Sequence, residues 1–360
     1  DTLFVSGAST KVESIVDSYL MTHDGAKKLE TVKEGGVQNR KFFGFKICAS
    51  GGRLGVLAST AKYFYLFDKT SEGVSSQPSD SIKRTKSNLL LDLDGNYFAS
   101  VDDKVLNVYK LMADSHERVF TFNVNVDAPC VLSGNMLGCV GFVDSESTAV
   151  ADTVLFLFEE NGGTFVASDT VSLSGYGGIE RINTIGIDMK GNRIAVGLST
   201  GCYKVLIIDK LSSGWEVTHV IDSPANVTSS WGFSLSFSDE NTLAIGSNKN
   251  GDGYIYKFED EQWQPAVRLI TSTGEAVGYA VAFNGEYFVA TDILYKGTTN
   301  DLTNCGGAYL YNVKNAITPI TDIKVDLSHD DGLLYDLKGR RVNDSYKGLV
   351  VGGGRLILKR

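Results

Sequence analysis

Residues 92–102 read DLDGNYFASVD. Two carboxylates spaced D-x-D, then glycine and asparagine, could open a calcium-binding loop. The same letters also spell a tight turn between two strands, because Gly and Asn tolerate the positive φ that two-residue hairpins require. The choice decides the architecture, and the rest of the chain makes it. The stretch recurs as KICASGGRLGVLAS (46–59), CVLSGNMLGCVGF (130–142), IGIDMKGNRIAVGL (185–198), LSFSDENTLAIGS (235–247) and VAFNGEYFVATD (281–292). Each copy is an apolar run, a polar turn with Gly or Asn, and a second apolar run rich in Ala, Gly and Val. The chain itself opens inside a copy, since DTLFVSGAS (1–9) aligns with NTLAIGSNK (241–249). Asp94-Gly95-Asn96 falls where Lys190-Gly191-Asn192 and Asn284-Gly285-Glu286 fall. A calcium loop would not be repeated in these altered forms, so the stretch reads as a hairpin.

The seven copies place equivalent apolar residues at Leu3, Leu54, Phe98, Leu137, Ile194, Leu243 and Phe288. After each comes an aromatic-rich third run, such as YFYLFDK (63–69) or GYIYKFED (253–260), and often a fourth, such as QPAVRLI (264–270). Four short strands per unit of about 40–50 residues is the period of a β-propeller blade. Turns this short leave no room for the crossover helices of a parallel α/β fold. The expectation is an all-β chain: a seven-bladed propeller of four antiparallel strands per blade over residues 1–320, with a C-terminal β-hairpin tail over 321–360. Six blades plus an irregular cap is the alternative. Because the first copy lacks a first strand, closure of the ring would draw on the tail or on residues preceding Asp1.

Composition narrows the function classes. The 34 Lys and Arg against 43 Asp and Glu give a net charge of −9, which argues against a broad nucleic-acid surface. No apolar run reaches the roughly 18 residues of a membrane helix. The five cysteines form no C-x-x-C pair, which excludes a zinc ribbon or a thioredoxin-like motif. Cys130 and Cys139 would lie directly opposite across the Gly134-Asn135 turn. That placement suits either a cross-strand disulfide in an oxidising compartment or two reduced core thiols.

Three units resemble FG-GAP-type repeats of extracellular β-propellers. They are FFGFKICASGGRLGVLAS (42–59), WGFSLSFSDENTLAIGSNKNGDGYIYKFEDEQW (231–263) and VGYAVAFNGEYFVATD (277–292), in which Gly44, Gly232 and Gly278 match the family glycine. The units beginning near Asn88, Asp127 and Ile182 lack it. The resemblance implies a scaffold that hosts ligand binding, adhesion or, in some members, catalysis. The tail is similar to one seen on exported proteins of Bacteroidetes: YDLKGRRV (335–342), a short linker, then KGLVVGGGRLILKR (347–360), with Lys347, Gly348, Gly354, Arg355 and Lys359 matching and Val350 in place of the usual Tyr. That resemblance implies an exported protein: periplasmic, outer-membrane-associated or at the cell surface. Residues 338–360 carry seven basic side chains against Asp344 alone. Such a segment either docks on an acidic body or anionic surface, or guards a strand edge against pairing with other chains.

Chemistry is sparse in the sequence. NKNGDGYIYKFE (248–259) has the spacing of a calcium loop, with Asn248, Asn250, Asp252 and Glu259 as its oxygen ligands. Only two of these carry charge, and 254–258 alternates like a strand, so a hairpin competes with the metal site. His23, His116, His219 and His329 form no paired motif, and no nucleophile elbow or phosphate loop is present. No catalytic residue and no cofactor is assigned, with calcium open only through that 248–259 stretch. Tyr63, Phe64, Tyr65 and Phe67 could stack on a sugar or pack blade on blade. Trp215 and Trp263 are expected to cap the outer edges of their blades. The reading that fits is a non-enzymatic scaffold capturing a glycan or protein ligand on its loops. The preferred contact loop is 295–306, through Lys296, Thr298, Asn300, Asp301 and Asn304. A polysaccharide lyase or glycosidase on the same scaffold is the first alternative, and a purely structural module the second.

Overall fold

In the computed structural model, seven antiparallel sheets follow one another along the chain. It describes residues 2–7, 15–22, 25–33, 43–58, 63–85, 91–143, 152–177, 186–225, 227, 230–247, 252–270, 277–292, 307–313, 334–336, 341–342, 348–352 and 355–359. Each sheet is one blade of a seven-bladed β-propeller, and the only helix among the described residues is a single 3-10 turn, Ser174–Tyr176. Blades 3 to 6 have four strands each. Blade 6, for example, runs Trp231–Asp239, Thr242–Ser247, Asp252–Glu259 and Gln262–Ile270. Four strands are expected in every blade, and among the described residues three blades show a different set. Blade 1 (Thr2–Gly7, Ile15–Thr22, Gly25–Lys33) and blade 7 (Val277–Phe283, Tyr287–Asp292, Gly307–Asn312) have three described strands each. In blade 2 the outer edge is shared by two short pieces, Gly73–Val74 and Asp80–Lys83.

The opening stretch is a hairpin. Strands Leu91–Asp94 and Tyr97–Asp102 pair in register from Tyr97↔Asp94 to Ser100↔Leu91, closed by Gly95-Asn96 with Gly95 at φ 53°. Its two acids tie blade to blade. Asp92 accepts the Leu132 amide of blade 4 at 2.8 Å, and Asp94 accepts the Gly134 amide at 2.7 Å while the Ser50 hydroxyl of blade 2 donates to its other oxygen at 2.5 Å.

Second strands are buried on both faces, so they read as continuous apolar runs rather than alternating ones. Leu54, Phe98, Leu137, Ile194, Leu243 and Phe288 are all fully buried, each against the preceding blade. The next residue faces the following blade and is small in five of the six: Gly55, Ala99, Gly138, Ala195 and Ala244. Six clusters of buried side chains result, one at each junction between consecutive blades. The third-strand aromatics join them. Tyr65 and Phe67 pack with Val16 and Val32 of blade 1, while Phe64 stacks on Phe98 of blade 3 with centroids 4.1 Å apart. Trp215 does not cap an outer edge. It is 5% exposed, inside the cluster between blades 4 and 5, and Trp263 packs against the cluster between blades 5 and 6. Indole area is too large to leave at a rim when a blade face is available to cover it.

The chain divides into two compact units, Asp1–Ile317 and Thr318–Arg360. In the second, the strands Leu334–Asp336, Arg341–Val342, Gly348–Gly352 and Arg355–Lys359 pair with one another in a small sheet of their own.

Candidate functional site

The three repeat glycines occupy one conformation. Gly44, Gly232 and Gly278 have φ of 80°, 75° and 98°, each inside a register break of the inner strand. The bulge lets the glycine backbone press on the preceding blade. A Cβ on Gly232 would lie 2.8 Å from Val205 Cγ2 and 2.9 Å from Gly197 Cα, and one on Gly44 would lie 2.8 Å from Ser6 Cβ. The opposed residues of the preceding blades, Ser6, Gly197 and Gly246, share one repeat position, three after the marker leucine or isoleucine. Where the following blade lacks the glycine, that position holds Leu57, Val101 or Val140. Small residue and bulge therefore occur together.

In blades 6 and 7 the bulge also re-aims the residue after its glycine. Phe233 of blade 6 and Tyr279 of blade 7 both line a cavity on the axis of the ring, where their rings meet across the blade boundary, 5.1 Å apart and tilted by 44°. Both are half-buried. The cavity has a volume of about 440 Å³ and is lined from all seven blades. That is within the usual range for small-ligand sites.

The opposite arc of the cavity is polar. Asp92 of blade 3 and Asp188 of blade 5 line it, with the exposed Lys46 of blade 2. Asp188 repeats the role of Asp92, accepting the Phe237 amide of the next blade at 2.6 Å. Ser236 takes the same register position in blade 6 and accepts from Phe283 at 3.0 Å, while Ser234 accepts from Val281 at 2.9 Å. Burial pushes the Asp92 carboxyl up to about 6, against the lowering pull of two backbone amides and Lys46. Burial pushes Asp188 up to about 7, with the Asp92 charge adding to the shift and the amides of Phe237 and Met189 opposing it. Cys48 and Cys130 also line the cavity. Burial, and then the Asp92 charge, raises the Cys130 thiol to about 12, so it is a poor nucleophile near neutral pH. Cys130 and Cys139 lie directly opposite in register, as the turn requires, and both are reduced.

The remaining candidates are dispersed. Asp252 and Glu259 open and close one extended strand of eight residues, roughly 23 Å from end to end, and so cannot share an ion. Glu259 instead pairs with Lys257 at 3.6 Å. Asn248 and Asn250 lie outside the described residues, as do Lys296, Thr298, Asn300, Asp301, Asn304, His23 and His329. Among the described residues, no group of three or more His, Cys, Asp and Glu is placed to hold a metal ion. His116 sits 2.8 Å from Asp80 of blade 2, and His219 lies 3.3 Å from the Glu261 carbonyl of blade 6. Both are outer-strand contacts far from the axis in the repeat. Among the described residues, no helix is long and apolar enough to cross a membrane, which says nothing of a β-barrel.

The fold and cavity define the class: a seven-bladed β-propeller. No protein-family model matches the chain, and no curated protein does. Solved structures do. The β-propeller domain of Cps50 (Swd1) from Myceliophteria thermophila is similar at a TM-score of 0.56, with 12% identity over 87% of this chain and 100% of that one. A protein from Lactobacillus plantarum is similar at 0.56, with 12% identity over 78% and 84%. A proposed 6-phosphogluconolactonase from Bacteroides uniformis is similar at 0.56, with 8% identity over 76% and 83%. At such identities the likeness is one of fold.

Proposed function

We propose that this chain is an exported, non-enzymatic binding scaffold of the cell envelope that captures a glycan or a protein ligand at the propeller. The observation that carries this reading is the state of the polar groups around the axis. Asp92, Asp188 and Ser234 are each already hydrogen-bonded to a backbone amide of the next blade. They are struts of a preformed surface, which favours recognition because little ordering is lost on binding. The bulge shared by Gly44, Gly232 and Gly278 supports kinship with FG-GAP-type repeats, and the wording of 335–342 and 347–360 supports export. Lys296, Thr298, Asn300, Asp301 and Asn304 are the contact loop of this reading. A glycan-array assay on the purified chain, with and without calcium, tests it. Binding to a defined glycan without turnover is expected. A blank array in both conditions removes the glycan arm and leaves a protein ligand, to be sought by pull-down from envelope extracts.

One observation favours a second reading, a polysaccharide-degrading enzyme. Two carboxyls raised toward neutrality in one cavity are what general acid–base chemistry uses. Release of reducing ends or unsaturated products by the wild type, abolished in Asp188→Asn, would establish that reading over the first.

A further inference from the structure

The cavity has two unlike walls. Blades 6 and 7 supply half-buried aromatic rings, while blades 2, 3 and 5 supply an ammonium and two carboxyls. Several aromatic side chains of the third strands, Phe64, Tyr65, Phe67 and Phe158 among them, are buried between blades. Phe233 and Tyr279 lie on first strands, where the bulge places them against the axial cavity, half-buried. Leaving two aromatic faces partly uncovered forgoes burial that the blade faces could have supplied. A ligand with one apolar face would recover it.

We infer that the axial cavity binds the terminal pyranose of a neutral glycan, with the rings of Phe233 and Tyr279 against the sugar's C–H face and Asp188, Ser234 and Lys46 at its hydroxyls. This deepens the glycan arm of the proposed function and rests on it. The chemistry fits group by group. The electron-rich face of an aromatic ring attracts the slightly positive C–H groups of a pyranose. Sugar hydroxyls need both donors and acceptors. Ser234 accepts from the Val281 amide, which leaves its own proton to donate. Lys46 donates only, and Asp188 keeps acceptor capacity beyond the bond from Phe237. Two carboxyls raised toward neutrality beside one lysine leave the cavity no net positive charge with which to recruit uronic acids or other anionic sugars. The volume of about 440 Å³ admits one or two sugar rings, which places a chain end rather than a chain middle on the axis.

The test uses the full chain with cellohexaose, laminarihexaose, xylohexaose and mannohexaose as probes. Saturation-transfer NMR reads contact, and calorimetry reads affinity. The wild type is expected to bind at least one of the four. The variant carrying Phe233→Leu and Tyr279→Leu, which keeps apolar volume but removes the ring faces, is expected to bind about tenfold or more weakly. Its melting curve checks folding. A measurement without any variant runs beside it: with ¹³C-labelled Phe and Tyr, the ring signals of Phe233 and Tyr279 should shift on adding the sugar. A sugar that binds wild type and leucine variant alike, with unmoved ring signals, overturns the axial site and leaves the glycan reading intact. If binding then disappears on deleting 296–304, the contact belongs to that loop. A wild type that binds none of the probes overturns this inference, while the glycan array and the pull-down decide the broader reading separately.

Discussion

Asp188 is held in surroundings that disfavour its charge, and the consequence is a pH dependence of known sign. Its carboxyl stands at about 7 in the folded chain against an ordinary value near 3.8. Between those two values the folded state keeps a proton that the unfolded state releases, so stability falls as pH rises from about 4 to 7 and is level above. Asn at this position still offers an oxygen to the Phe237 amide and cannot ionise. The stability of Asp188→Asn relative to wild type should therefore improve by on the order of 1 kcal/mol between pH 4 and 7.5, allowing for the cavity's partial solvent access. Parallel denaturation profiles across that range would refute it. Glycine positions differ just as sharply from one another. Gly232→Ala meets both a positive φ and a Cβ clash with the preceding blade, and should destabilise by about 2–4 kcal/mol. Gly95→Ala meets a positive φ of 53° with no atom within 4 Å of the new Cβ, and should lose only about 1 kcal/mol. Chemical denaturation of the two variants separates strain alone from strain plus contact.

At the scale of the strand, the alternation of large and small residues sets how blades nest. Phe98 is fully buried and stacks on Phe64 of the preceding blade, while Ala99 lets the following blade approach. Phe98→Ala should destabilise by about 3–5 kcal/mol, and Phe98→Leu by clearly less, as read from urea midpoints. Ala99→Leu should be destabilising too, through overpacking of the junction with blade 4. The outer strands carry a feature that the repeat did not reveal. The third and fourth strands of blades 3, 4, 5 and 6 all break register at one equivalent place, at Val108/Tyr109, Leu157/Phe158, Ile207/Ile208 and Ile255/Tyr256. A bulge there increases the local twist, and twist is what fans each blade outward from the axis. Hydrophobic alternation is a poor guide to such a bulge because both faces of the third strand are buried.

At the scale of the molecule, the two compact units lead to a truncation experiment. A chain ending at Ile317 should keep the β-sheet circular dichroism of the whole and melt in one cooperative transition, because every inter-blade cluster lies before that point. Loss of cooperativity on removing 318–360 would mean that the tail contributes to the ring. The same scale explains why the candidate site was the least legible part of the sequence. Phe233 and Tyr279 are 46 residues apart and Asp92 and Asp188 are 96 apart, so spacing rules built for one loop or one helix cannot join them. The trace that does exist is the Gly-aromatic pair, Gly232-Phe233 and Gly278-Tyr279, which as sequence does not reveal that the ring is turned toward an axis.

The sequence alone determined the blades. Its period of alternation, its Gly and Asn turns and its recurring buried position act over a few residues, and local sterics and the two-residue periodicity of a strand suffice to read them. It also showed that DLDGNYFASVD is a hairpin, since the five other copies that include the turn have no common ligand set. Only the tertiary structure decided what the two acids of that hairpin do, which aromatics are buried and which face the axis, and that Asp252 and Glu259 stand at opposite ends of a strand. These depend on which blade lies next to which and on where a bulge re-aims a side chain. Contacts between residues 40 to 100 positions apart are set by the packing of blade on blade around the axial cavity, and no local pattern encodes them.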